Sequence, residues 1–129
     1  IPMKEFAQMK KDRDILVRII VKKVPMHTVY LSQRNSATDF PVLTCAVGLE
    51  EKKVRIVIGA RPQKAMLIEK ELESSFKFKA EEIETLAEEV QKLVPTGSNM
   101  RASAEYRSHL VKVLTKRALV QAEGDANEN

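Results

Sequence analysis

Residues 100–119 constrain the fold more than any other stretch, because they read as one long helix that must cover a surface. Ala102, Tyr106, Leu110, Val113 and Leu114 recur at three- and four-residue steps and form one apolar stripe. Arg101, Glu105, Lys112 and Lys116 fall off that stripe. The run Pro95-Thr96-Gly97-Ser98-Asn99 ends the preceding element and offers Ser98 or Asn99 as the N-cap of this one. Such a stripe needs a partner layer, and the upstream chain supplies strand-like runs to build it.

From the N-terminus, residues 1–9 are short and amphipathic, with Phe6 and Met9 expected to pack inward. Asp12-Arg13-Asp14 breaks that pattern. Residues 15–21 (Ile-Leu-Val-Arg-Ile-Ile-Val) are rich in β-branched side chains and read as a first strand with a well-buried face. Lys22, Lys23 and Pro25 close it. Residues 27–33 read as a second strand, carrying Thr28, Val29 and Tyr30, and the polar run 34–39 as a turn-forming loop. Residues 40–49 form a third strand, in which Gly48 implies a bulge or a close approach. Glu50-Glu51-Lys52 makes a tight connection to a fourth strand, 53–58, with Val54, Ile56 and Ile58 on one face. Gly59 and Pro62 end it.

Residues 64–72 then read as a short helix with Ala65, Leu67, Ile68 and Leu72 inward, followed by a linker whose Phe76 and Phe78 plug the core. Residues 80–94 form an amphipathic helix. Ile83, Leu86, Ala87, Val90 and either Leu93 or Val94 face in, while Glu81, Glu82, Glu84, Glu88 and Glu89 face out. The early glutamates suit the positive end of the helix dipole, and Pro95 stops the helix. Residues 123–129 are polar and expected to be disordered.

Strands in a run and then helices in a run imply an α+β fold: an antiparallel sheet of about four strands with about three helices on one face. The expected domain is 1–122, with 123–129 as a tail. A chain of 129 residues buries about two thirds of the surface its unfolded form exposes, enough for a real core. No apolar run approaches the roughly 20 residues that span a bilayer. The single cysteine, Cys45, sits in an apolar run and makes no internal disulfide, as expected of a small buried hydrophobe in a reducing, cytoplasmic setting. The net charge of +4 is spread along the chain rather than gathered in an aromatic-studded patch, and Trp is absent, which speaks against nucleic-acid binding. The chain begins Ile1-Pro2 without an initiator Met, as a fragment or processed piece would.

A catalytic site should show a nucleophile with a base, a carboxylate pair or a metal-ligand cluster. His27 and His109 lie far apart in sequence, one cysteine gives no zinc-ligand spacing, and Gly48 and Gly59 punctuate a hairpin rather than build a phosphate loop. Arg101, Glu105 and Arg107 read as surface ion pairs of the long helix, worth a few tenths of a kcal/mol each, with a tie to a neighbouring domain as the alternative. The loop 34–39 is the most functional-looking feature, since loops at strand ends often carry ligand contacts, with an ordinary solvated connection as the equal alternative. By residue chemistry alone, the chain is a helper domain with no catalytic or metal-ligating residue of its own.

Five segments in order carry a family resemblance. Ile1-Pro2-Met3-Lys4-Glu5-Phe6 is similar to a Val/Ile-Pro-Leu-x-x-Phe pattern, and Asp14 to Val21 to a Glu-x-Leu-x-x-Ile-x-Ile-Pro strand. The stretch from Tyr30 to Asp39-Phe40 resembles Tyr/Phe-x-Lys…Arg-x-x-Asp-Phe/Ile-Ala. Lys53 to Pro62 resembles Val-x-x-x-Arg-Ile-Ala-Leu-Gly-Gly-x-Ala-Pro. Arg101 to Leu110, continued by Val113 to Leu119, is the most specific piece. Together they resemble the C-terminal domain of the FAD-binding subunit in the xanthine dehydrogenase and carbon monoxide dehydrogenase family of molybdenum hydroxylases.

The resemblance implies an accessory domain of an oxidoreductase subunit, preceded by an FAD-binding domain and partnered by molybdopterin and iron–sulfur subunits. Electrons would pass through the clusters to FAD and then to NAD or another acceptor. It implies cofactor contacts at Leu16 in the first strand and along the loop to Asp39. Where the family pattern has a Lys after the Tyr/Phe, this chain has Leu31, Ser32 and Gln33, so Gln33 is a candidate hydrogen-bond donor and Leu31 a packing contact. Arg61-Pro62 also replaces a smaller, Ala-like pattern. The rival expectation is a stand-alone interaction or homo-oligomer module that uses the open sheet face.

Overall fold

The structure is a computed structural model describing residues 1–10, 12–72 and 77–127. Four strands, β1 (His27–Gln33), β2 (Leu43–Glu50), β3 (Lys53–Gly59) and β4 (Met66–Glu71), form an antiparallel meander in the order β1-β2-β3-β4. The alternation read in β3 decides its orientation: Val54, Ile56 and Ile58 are buried. They stand opposite Leu49, Val47 and Cys45 of β2, so one face of the sheet is continuous hydrocarbon. Each such side chain contributes about 1.5–3 kcal/mol on burial. Glu50 pairs with Lys53 across the two-residue turn Glu51-Lys52, as expected of the tight connection.

Two long helices cover that face. α2 (Ala80–Leu93) buries Ile83, Leu86, Ala87 and Val90 as its period requires, and Val94 rather than Leu93 completes the stripe. Its N-terminus is closed by Glu82, which accepts the Lys79 N–H at 2.8 Å. α3 (Ala104–Asn127) lies across β1 and β2, with α2 along its flank. A single-turn helix, α1 (Met3–Phe6), precedes the sheet. The expected α+β architecture is therefore present, with different members from those expected.

Residues 15–21 are not a strand of this sheet; they carry no regular secondary structure and are exposed throughout. Just downstream, the Met26 side chain lies over Gly48 of β2, its sulfur 2.9 Å from where a Cβ would stand. This is the close approach expected of Gly48, without a bulge in the register. Residues 66–71, expected to be helical, form β4. A lone helix of that length is marginal, whereas the edge of β3 offers a full ladder and pairs Ile56 with Ile68.

The stripe of α3 is rotated by about one residue from the expected one. Arg107, Leu110, Val111, Leu114, Thr115, Ala118, Leu119 and Ala122 are buried, while Tyr106 is 46% exposed. Counting only large apolar side chains leaves out the buried Arg107 and Thr115. The helix also starts later than expected. Ser103 Oγ accepts the Tyr106 N–H at 3.2 Å as the cap, and Ser98 Oγ accepts the Ala104 N–H at 2.8 Å.

At its far end α3 runs to Asn127, so the segment expected to be disordered is helical that far. Glu123 accepts the Phe78 N–H at 3.2 Å there. Phe78 packs against the core as expected, and Phe76 lies outside the described residues. Phe6 and Met9 do not pack inward; they are 43% and 41% exposed.

Candidate functional site

One end of the sheet gathers the loops. There β1 and β3 finish and β2 and β4 begin, as the pairs Gln33 with Leu43, Thr44 with Gly59, and Ile58 with Met66 show. The loops 34–42, 60–65 and 94–103 meet at this end. Two buried arginines sew them together. Arg107 donates through Nε to the Val42 carbonyl at 2.9 Å, through Nη1 to the Gly97 and Ala102 carbonyls at 2.7 and 2.6 Å, and through Nη2 to Asn99 Oδ1 at 2.6 Å. Arg61 donates to the Lys64 carbonyl at 2.8 Å and to Gln63 Oε1 and the Pro95 carbonyl, each at 2.7 Å. Burial lowers the Arg107 pKa, as does the nearby charge of Arg101, yet a guanidinium stays protonated. Its buried charge is matched by carbonyl dipoles.

The expectation of surface ion pairs on this helix therefore fails for Arg107. A signal for it existed in the sequence: Arg107 precedes Val111 by four residues and Leu114 by seven, so the apolar stripe extended backwards lands on it.

Above this scaffold lies an exposed polar corner. Asp39 Oδ1 accepts the Phe40 N–H at 2.7 Å and Arg101 Nε at 3.2 Å. Arg101, then the Phe40 amide, hold the Asp39 carboxyl below the ordinary carboxylate range. The Arg101 guanidinium also sits 5.2 Å from the ring centroid of Phe40, which is 72% exposed. Arg34 Nη1 donates to the Asp39 carbonyl at 2.6 Å, and Asn35 Nδ2 to the Arg101 carbonyl at 3.2 Å.

Of the four residues singled out in the sequence, the structure brings two together. Gln33 and Asp39 share this corner through Arg34, and Gln33 Nε2 donates to the Arg34 carbonyl at 3.1 Å. Leu31 stands opposite Cys45 on the helix-covered face and packs against the core. Leu16 lies in the exposed arm, in a groove shared with α1 and Lys64. Arg101 and Phe40 were not assigned to the site by sequence, although both lie in the segments that carry the resemblance.

Among the described residues no three His, Cys, Asp or Glu side chains converge on a point, and no buried polar side-chain atom lacks a partner. The loop end presents exposed Arg34, half-buried Arg101 and the open ring of Phe40.

Residues 28–122 match the family described as the CO dehydrogenase flavoprotein C-terminal domain. No curated protein matches the chain. Among solved structures, the chain is similar to quinoline 2-oxidoreductase from Pseudomonas putida 86, with 20% identity and a TM-score of 0.65 over 80% of this chain and 39% of that one. It is similar to carbon monoxide dehydrogenase from Hydrogenophaga pseudoflava lacking the Mo-pyranopterin moiety, with 18% identity and a TM-score of 0.67 over 78% and 38% of the two chains. A cyanide-inactivated Cu,Mo-CO dehydrogenase gives 16% identity and a TM-score of 0.65 over 81% and 39%. These likenesses show a shared fold, and this chain spans 38–39% of the neighbours' length.

Proposed function

Because the chain belongs to the CO dehydrogenase flavoprotein C-terminal domain family, we propose that it is the accessory domain of an FAD-carrying subunit in a molybdenum hydroxylase of the xanthine dehydrogenase type. The observation that carries this reading is the family match from the first strand of the sheet to the last buried turn of α3. In this reading an upstream domain binds FAD, and partner subunits hold molybdopterin and iron–sulfur clusters. The flavin supplies the redox chemistry, passing electrons to NAD or another acceptor.

This chain's own residues supply one wall beside the flavin. Gln33 and Asp39, braced by Arg34 and Arg101, orient the corner, and the Phe40 ring excludes water. Leu16 approaches from the arm, and Leu31 acts from beneath by fixing β1. The protein works in the cytoplasm.

A flavin titration tests this. The 129-residue chain should show no tight, stoichiometric FAD binding, whereas the full-length subunit should bind one FAD. Tight binding by the chain alone would overturn the accessory role.

A second reading rests on the open sheet face, where Tyr30, Ala46, Val57 and Leu67 form one apolar row across all four strands. That row would suit a homo-oligomer contact. A monomeric chain at high concentration in sedimentation would remove this reading.

A further inference from the structure

Residues 15–21 have the pattern of a strand and the surroundings of none. Ile15, Val17, Ile19 and Val21 alternate with Leu16, Arg18, Ile20 and Lys22, so one face is wholly apolar and the other mixed. The apolar face is bare: Ile15 is 86% exposed, Val17 87%, Ile19 59% and Val21 83%. No backbone hydrogen bond joins this segment to another described residue. The domain's own core is complete without it, since Val29, Val47, Ile56 and Ile58 are already buried. An uncovered strand of this composition is a template for aggregation, and natural chains cover or pair such strands.

The place of the segment indicates what pairs with it. The family match begins at residue 28, just downstream. More than half the length of each structural neighbour lies outside the part this chain covers. We infer that residues 15–21 form an edge strand of a sheet in the domain that precedes this one in the full polypeptide. The strand adds by main-chain pairing and turns its Ile15-Val17-Ile19-Val21 face into that domain's core. Lys22, Lys23 and Pro25 end the pairing, and Met26 over Gly48 starts the present domain. The two domains are thereby stapled by the chain that links them. This inference rests on the reading above that a flavin-binding domain precedes the chain.

Residue-resolved hydrogen exchange on the full-length, flavin-loaded polypeptide tests it against the 129-residue chain. An edge strand bonds on one side only, so every second amide within 15–21 should exchange at least about 100-fold more slowly in the full-length protein. Ile19→Pro should abolish that protection while leaving the unfolding midpoint of the 129-residue chain unchanged. Fast exchange throughout 15–21 in a full-length protein that still holds FAD would overturn the strand and leave the proposed function standing. A full-length protein that binds no FAD would overturn that function instead. Protection that appears in the 129-residue chain alone, and rises with its concentration, would assign the strand to a second copy and overturn the inference.

Discussion

Replacing Arg107 with methionine should cost about 3 kcal/mol of stability, and the figure follows from where its acceptors lie. Methionine refills most of the aliphatic volume, so the cavity left behind is small. The loss is in hydrogen bonding. The guanidinium serves the carbonyls of Val42, Gly97 and Ala102 and the amide oxygen of Asn99. Hydrogen bonds to a charged group contribute about 1.5–3 kcal/mol each, but they do not all vanish at full cost. Gly97, Asn99 and Ala102 sit in loops that are exposed or half-exposed, so water replaces the donor there.

Val42 is fully buried, and its carbonyl would be left dry, at about 1–3 kcal/mol. The loosened loops add to this, and relief from burying a guanidinium subtracts. Because three of the acceptors are main-chain atoms, the substitution removes one side of each interaction and cannot reach the neutral outcome of a fully apolar replacement. Urea unfolding followed by far-UV circular dichroism measures the change, with the slope m expected to stay constant. Arg107→Lys keeps the charge but loses the planar fork, and should fall between wild type and Arg107→Met. A methionine variant within about 1 kcal/mol of wild type would refute the idea that this side chain holds the three loops together.

Ala60 has φ of 55°, a left-handed conformation that costs a residue with a Cβ about 1–2 kcal/mol. Ala60→Gly should therefore raise stability by about 1 kcal/mol in the same assay, and an unchanged midpoint would contradict it. Burial pushes the Cys45 thiol up to about 11, against a weaker opposing contact with Thr115. Its folded pKa lies above its unfolded value of 9.0, so the contribution is complete below pH 9 and lost as pH rises towards 11. Stability should fall by about 2–3 kcal/mol across that window, and Cys45→Ala should abolish the fall. Ion pairs to Lys112 and then Lys116 hold Glu84 down to about 2. Its folded pKa is depressed, so its contribution is present above about pH 4.5 and lost as pH falls towards 2. Carboxyl-resolved NMR titration should show the low midpoint, and Lys112→Met should raise it.

Much of the framework was legible in the sequence because it is local. Alternation in 53–58 and the 3.6-residue period of 80–94 name their buried faces without reference to any partner, and Val54, Ile56, Ile58 and Val90 all lie where those periods put them. The loop 34–39 was legible as a polar connection because such a run between two strands is visible in one dimension, whereas Gln33 and Asp39 were singled out through the family resemblance. Arg107 lies on the backward extension of the apolar stripe, but a cation on a helix is normally solvated, and only the convergence of three loops gives it acceptors.

Two segments show what only the tertiary structure could decide. Residues 15–21 and 66–71 are both short apolar runs, and neither composition nor period says whether an unpaired ladder lies beside them. The edge of β3 is open and turns the second into β4. The first pairs with no described strand of the sheet. A sequence specifies which side chains avoid water, whereas hydrogen-bonding edges and neighbouring layers exist only once the chain has folded, and they determine what those side chains meet.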